Sequence, residues 1–299
     1  MATERCSSVS GASDEPLIAT ASGVRGWVLI EQTGAWGAEA LTESRIPAAV
    51  AAELRARAAH HRLRVLLLRR PDGRASPTHN VFLAWSGRRS QWIEHGVVPE
   101  VEELLDLDLA LLGRGEKVGF GQLRSRPLYL VCTNGRHDPC CAQLGRPVAR
   151  ALLRPGDDSV WECSHVGGDR FAGNLVCLPH GLYFGRLGPE QAGRVVAGYE
   201  DGRLELVNYR GRAGEPFAVQ AAEYFVRREH GILGVDDLVA NGHRHSSPQV
   251  VEVGFNGRHG RRFEVRVGIA AAGEARPLTC GAVSQETPPT YSLLDLRST

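Results

Sequence analysis

The feature that most constrains the fold is a short apolar run that ends at a cysteine and leads into the start of a helix. Residues 127–131 read Pro-Leu-Tyr-Leu-Val, and Cys132 follows them directly. After five intervening residues, Asp138 and Pro139 are typical of a helix N-cap and of the first helical position. The pattern therefore predicts a buried strand that ends at Cys132 and a helix that carries Cys141 in its first turn.

The elements predicted around this corner follow the order strand, helix, strand, hairpin, helix. A strand over 159–163 is followed by a glycine-interrupted segment and by a hairpin over 175–185. Helical patterns then cover residues 189–199 and 216–228. This order is typical of a thioredoxin-like fold, and we place that domain at residues 124–232.

The flanking regions predict three further units. Residues 1–22 are polar and small and are expected to form a disordered leader. Residues 23–115 combine apolar runs with an alanine-rich helical pattern, which predicts an N-terminal α/β domain, and the four glycines in 113–121 favour a boundary there. Two long strand patterns within residues 233–299 predict a small β-rich lobe. The predicted fold class is thus α/β, with a thioredoxin-like domain between another α/β domain and a β-rich lobe.

Charge and hydropathy exclude several classes of function. The 35 basic and 34 acidic residues nearly cancel, so no net charge favours a nucleic-acid or membrane partner. The sequence has no apolar stretch of signal-peptide or membrane-spanning length. These observations predict a cytoplasmic protein with no nucleic-acid and no membrane partner.

The seven cysteines indicate metal, cluster or redox chemistry. An odd number of cysteines without an export signal argues against a disulfide framework, and four of the seven lie between Cys132 and Cys163. Cys177, inside an apolar run, is expected to be an ordinary buried residue. Cys6, in the predicted leader, is expected to have no role.

Four side chains are candidates for one site. Cys132 and Cys141 have eight residues between them and are expected to converge at the strand–helix corner, where a helix N-terminus favours thiolates. His165 and Asp169 follow the next strand, which is expected to end at the same edge of the sheet. Two sulfurs with an imidazole and a carboxylate suit an iron–sulfur cluster or a zinc ion.

At these residues the chain resembles the sucrase/ferredoxin-like family, whose members are thioredoxin-like [2Fe–2S] ferredoxins. The family pattern is Cys, eight residues, Cys, and further on His-x-Gly-Gly-His. Cys132 and Cys141 match the first pair, and His165-Val-Gly-Gly matches the second element, whereas Asp169 stands where the family has its second histidine. The resemblance implies a thioredoxin-like ferredoxin domain that holds one [2Fe–2S] cluster through cysteine and histidine ligands. It also implies electron transfer with a redox partner protein that the sequence does not identify.

The fourth cluster ligand is open at this point. Asp169 ranks first because of its position in the family pattern, although a carboxylate is a hard ligand beside sulfide-bridged iron. Cys140, Cys163 and Cys280 are the alternative donors.

Two other functions fit the same predicted fold, a thiol–disulfide oxidoreductase and a zinc-binding protein. The first would ordinarily use a Cys-x-x-Cys motif at the helix start, and the chain instead has adjacent cysteines at 140 and 141. No motif pairs carboxylates as glycoside hydrolysis requires. The sequence therefore favours a redox carrier over an enzyme.

Overall fold

A computed structural model describes residues 5–271 and 274–299 of the 299-residue chain. The described chain contains six α-helices and fourteen strands. The helices are α1 (Cys6–Ala12), α2 (Ala48–His60), α3 (Leu109–Arg114), α4 (Pro139–Ala151), α5 (Pro189–Glu200) and α6 (Phe217–His230). The strands are β1 (Gly26–Glu31), β2 (Leu63–Arg69), β3 (His79–Ser86), β4 (Gln91–Val98), β5 (Gln122–Leu123), β6 (Leu128–Cys132), β7 (Val160–Cys163), β8 (Leu175–Leu178), β9 (Leu182–Phe184), β10 (Tyr209–Arg212), β11 (Leu238–Ser247), β12 (Val250–Gly257), β13 (Arg262–Ala271) and β14 (Pro289–Ser298).

The first ten strands form one sheet in the order β10-β9-β8-β6-β7-β2-β1-β3-β4-β5. Strands β6 and β7 are parallel, and β7 pairs antiparallel with β2, where Leu68 lies opposite Cys163 and Arg69 opposite Glu162. Strands from both sides of the glycine-rich stretch 113–121 are thus hydrogen-bonded into a single sheet. Independent domains over 23–115 and 124–232, and the thioredoxin-like label for the second, stay predictions.

Strand β6 is buried along its whole length because both faces of the sheet are covered at this strand. Alternate residues of a strand point to opposite faces of the sheet. One face of β6 joins a core that both halves of the sheet share, with Trp27 and Phe82 from one half and Leu130 and Tyr183 from the other. Its opposite face, including Val131, packs under α4 and α5. The end of β6 is therefore held in place on both sides.

The last four strands form a separate antiparallel sheet in the order β11-β12-β13-β14. One face of this sheet packs on helix α6, where Val219 and Phe225 contact a core that includes Val253 and Val265. The α/β fold class and the C-terminal β-rich lobe are confirmed. Within the described ranges, no helix is both long and apolar enough to cross a membrane.

The prediction of a disordered leader over residues 1–22 is wrong for the residues that the structure describes. Residues 1–4 lie outside the described residues, but from residue 5 onward the segment is ordered and forms α1. Arg170 donates to Glu15 at 2.8 Å, and Arg186 donates to the carbonyl of Ser10 at 2.9 Å. The segment is polar, so its order depends on partners that are distant in sequence, and the local pattern could not reveal them.

Candidate metal centre

Cys132 occupies the C-terminal end of β6, where its side chain is 1% exposed. Its backbone N–H donates to the carbonyl of Asn174 at 3.0 Å. Gly145 of α4 packs so closely against the carbonyl of Cys132 that a Cβ at position 145 would overlap the oxygen. The strand end and the following helix are thus fixed against each other.

Cys141 lies in the first turn of α4, as the sequence predicts. The loop before the helix is an Asx turn, in which Asn134 Oδ1 accepts from the backbone N–H groups of Arg136 and His137 at 3.2 and 3.4 Å. Asp138 then caps the helix by accepting from the backbone N–H of Cys140 at 2.8 Å. These local hydrogen bonds turn the chain back, so that the sulfur of Cys141 lies within 4.8 Å of the sulfur of Cys132.

His165 and Asp169 lie in the segment that follows β7. Ser164 ties the start of this segment to β2, because its Oγ accepts from the backbone N–H of Leu67 at 3.0 Å. Asp169 begins a short 3₁₀ turn and is 1% exposed. Its Oδ1 accepts from Cys141 Sγ at 3.1 Å and lies 2.9 Å from His165 Nδ1. The four residues that the sequence suggested are therefore neighbours.

Two overlapping groups of potential metal donors meet at His165. The sulfurs of Cys132 and Cys141 and a ring nitrogen of His165 all lie within 4.8 Å of one another. Donor atoms of His137, His165 and Asp169 also lie within 4.8 Å of one another. The rings of His137 and His165 stack with centroids 3.7 Å apart, and His137 Nε2 is 3.7 Å from Asp169 Oδ2. Sequence reasoning missed His137 as a donor, because loop residues give no periodic signal.

The imidazole of His165 has one nitrogen without a hydrogen-bond partner. Nδ1 is buried, and its 2.9 Å contact with Asp169 is not aligned as a hydrogen bond, so it is unpartnered among the residues that the structure describes. Buried polar atoms are ordinarily satisfied, and a neutral imidazole nitrogen is the commonest metal ligand in proteins. The donor set therefore fits a bound metal or cluster.

The electrostatics of the group favour a thiolate beside an imidazolium. The close approach of the two thiols lowers the pKa of Cys132 and raises that of Cys141, and His165 further lowers the pKa of Cys132 against the effect of burial. Burial alone would lower the pKa of His165, but Asp169 and Cys132 outweigh it and raise that pKa to about 9. A metal binding here would displace the remaining protons, as thiolate and imidazole ligation requires.

Two arginines hold the segment that carries His165. Arg64 donates to the carbonyl of Val166 at 2.6 Å. Arg210, which is 1% exposed, donates to the carbonyl of Gly167 at 3.0 Å and to Asn174 Oδ1 at 2.8 Å. Both arginines are far from His165 in sequence, and no motif pointed to either. They position the loop and add positive charge beneath the site.

The other cysteines lie outside both donor groups. Cys163 is the register partner of Cys132 on β7 and is fully buried, which raises the pKa of its thiol. Cys177 is buried in the core, as the sequence predicts, and burial raises its pKa as well. Cys140 and Cys280 contact each other, with their sulfurs 3.4 Å apart. Among the alternative fourth ligands, only Cys163 lies directly beside Cys132.

Comparison with known protein families gives a match to most of the chain. A sequence model described as sucrase/ferredoxin-like matches residues 17–211. This range includes the whole candidate site and ends within β10, so it spans the large sheet and leaves out the C-terminal sheet. No curated protein and no solved structure matches the chain significantly.

Proposed function

Because the chain belongs to the sucrase/ferredoxin-like family, we propose that it is an electron-transfer protein that binds one [2Fe–2S] cluster. Cys132 and Cys141 would hold one iron, and His165 and Asp169 would hold the other. The observation that carries this proposal is that two buried thiols and a ring nitrogen of His165 lie within 4.8 Å of one another, with Asp169 in contact with both Cys141 and His165.

The donor chemistry supports this division of ligands. Thiolates are the usual ligands of iron–sulfur clusters, and histidines can replace cysteines on one iron of a [2Fe–2S] centre. Such a cluster supplies reversible one-electron transfer when it is bound. The chain contributes a dry environment on the cysteine side, where Cys132 and Cys141 are each 1% exposed.

The histidine side supports a route for electrons to a partner. The side chains of His137 and His165 are each 25% exposed. Both rings line a surface depression next to α2, and Glu39 and Arg55 are among its other lining residues. We propose that the redox partner protein docks over this histidine edge, since the shortest path from a cluster to solvent passes through its exposed ligand.

The direct test is the composition of protein purified without oxygen. We expect coloured protein with about two iron and two acid-labile sulfide per chain, the composition that a [2Fe–2S] cluster requires. Colourless protein with zinc at Cys132 and Cys141 would contradict the cluster and support a zinc site at the same donors.

The identity of the fourth ligand gives a second prediction. We expect Asp169→Ala to lower the retained iron by at least about tenfold, since even the partner of a ligand changes metal affinity by about 10–100-fold. His137→Ala should retain the cluster, because His137 is not part of the group formed by Cys132, Cys141 and His165 and approaches Asp169 only at 3.7 Å. Iron and sulfide content and the visible spectrum are measured for both variants. If His137→Ala loses the cluster and Asp169→Ala keeps it, the fourth ligand is His137.

A dithiol–disulfide function is the second candidate. It is favoured by the nearby sulfurs of Cys132 and Cys141 and by the lowered pKa of Cys132, because a thiolate beside a second thiol is the arrangement that forms disulfides. Oxidised protein that is colourless and two mass units lighter, with Cys132 linked to Cys141 in peptide maps, would support this function over the cluster.

A further inference from the structure

Three cysteines from distant parts of the chain meet at a second place. Cys6 of α1, Cys140 of α4 and Cys280 of the C-terminal segment have sulfurs separated by 3.7 Å (6 to 140), 3.4 Å (140 to 280) and 3.5 Å (280 to 6). Asp138 Oδ2 lies 3.5 Å from the sulfur of Cys6, and all four donor atoms are within 4.8 Å of one another.

We propose that Cys6, Asp138, Cys140 and Cys280 bind one zinc ion at a site separate from the proposed cluster. Cysteine thiolates with one oxygen donor form a tetrahedral set that suits zinc. The site joins α1, the start of α4 and the segment around Cys280 into one unit.

The spacing of the donors matches a single tetrahedral ion. Two sulfurs that are each about 2.3 Å from zinc lie about 3.8 Å apart in a tetrahedron, close to the observed 3.4 to 3.7 Å. A sulfur and a carboxylate oxygen at about 2.0 Å from the ion lie about 3.5 Å apart, which is the observed distance between Cys6 and Asp138. A disulfide would need sulfurs about 2.05 Å apart.

The surroundings of the donors suit thiolates and a carboxylate. Cys6 and Asp138 are fully buried and Cys140 is 1% exposed. Ser7 Oγ donates to the sulfur of Cys140 at 3.2 Å, and the backbone N–H of Cys6 donates to the sulfur of Cys280 at 3.5 Å. Hydrogen bonds of this kind orient ligands and stabilise their negative charge.

Asp138 is oriented by two backbone groups. Its Oδ1 accepts from the N–H of Cys140 at 2.8 Å and its Oδ2 from the N–H of Cys280 at 2.6 Å. A carboxylate oxygen has a second lone pair, so Oδ2 can also bind the ion. Three sulfurs and a carboxylate packed together would repel one another once ionised, and a cation removes that repulsion.

The segments that the site joins have little other apolar burial. Cys6 and Ser10 are the buried residues of α1, and most residues of 274–288 are exposed or half-buried. A metal that binds only the folded arrangement contributes its binding free energy to folding. Zinc would therefore hold these two segments on α4.

The two sites lie on different sides of the same helix start. Cys141 contacts Asp169 at 3.1 Å, whereas the adjacent Cys140 contacts Cys6 at 3.7 Å and Cys280 at 3.4 Å. Cys280→Ser should therefore leave the proposed cluster site unchanged.

The test measures zinc, iron and sulfide in the same anaerobic samples of full-length wild-type protein, Cys280→Ser and Cys177→Ser. We expect one zinc per wild-type chain, at least about tenfold less zinc in Cys280→Ser, and unchanged zinc in Cys177→Ser. Iron and the visible spectrum of Cys280→Ser should equal those of the wild type. Wild-type protein without zinc, a zinc content in Cys280→Ser equal to that of the wild type, or copper in its place would overturn the assignment.

A second measurement needs no variant. In native wild-type protein, Cys6 and Cys280 should resist alkylation, and a strong zinc chelator should make both reactive in peptide maps. Alkylation that is the same with and without chelator, or a disulfide between any two of the three cysteines, would overturn the proposal. Colourless wild-type protein whose zinc content falls in Cys280→Ser but not in Cys177→Ser would support this zinc site. The same result would contradict only the proposed cluster.

Discussion

Cys132→Ser and Cys141→Ser are each expected to bleach the protein and to lower its iron and sulfide content by at least about tenfold. Both side chains are 1% exposed and lie together at the end of β6 and the start of α4. Serine leaves the shape nearly unchanged, but its hydroxyl is a poor replacement for a thiolate on iron. The fraction of iron lost should therefore be larger than the fraction of protein that fails to fold.

Cys177→Ser is the matched control for these variants. Cys177 is also a buried cysteine at the site's own sheet, on β8, but it packs in the core under α4 and α5. It should keep its colour and its iron, at the expense of some stability from a buried hydroxyl. Equal loss of iron in the control, or full retention in Cys141→Ser, would contradict the proposed ligands.

Arg210→Met is expected to lower the free energy of unfolding by about 3–5 kcal/mol, since each buried acceptor left without a donor is worth about 1–3 kcal/mol. Arg210 is fully buried and donates to the carbonyl of Thr20 at 2.6 Å, to the carbonyl of Gly167 at 3.0 Å and to Asn174 Oδ1 at 2.8 Å. Methionine fills much of the same space but leaves these acceptors unpaired. The loop that carries His165 should loosen, so iron retention should fall as well.

Urea unfolding measures the change in stability, and iron content measures the effect on the site. Arg203→Met is the control, because Arg203 is an exposed arginine between α5 and β10. It should change stability by less than about 0.5 kcal/mol. A loss below about 1 kcal/mol in Arg210→Met would mean that water replaces the guanidinium and that the loop does not depend on it.

Local patterns were sufficient for the elements that carry the main site. The apolar run before Cys132 and the Asp138-Pro139 start of α4 predict strand β6 and the helix that follows it, and both are present. Asp138 caps the helix as its residue type indicates. This corner brings Cys132 and Cys141 together through the few residues between them, which is why their spacing was informative.

Other elements gave weaker local signals and were not predicted. Strand β11 (Leu238–Ser247) is mostly exposed and rich in polar residues, and β14 (Pro289–Ser298) alternates irregularly. Each is stabilised by pairing with a neighbouring strand, β12 or β13. Strand formation of this kind depends on the partner more than on intrinsic preference.

The sequence by itself determined the α/β fold class, the family, the β6–α4 corner and the four candidate residues at the main site. Only the tertiary structure decided that Cys6, Cys140 and Cys280 meet, that His137 stacks on His165, and that Arg210 lies beneath the loop. The physical reason is the range of the interactions. Hydrophobic periodicity and helix caps act over a few residues, whereas the pairing of β2 with β7 and the docking of α1 join residues that can be more than one hundred positions apart.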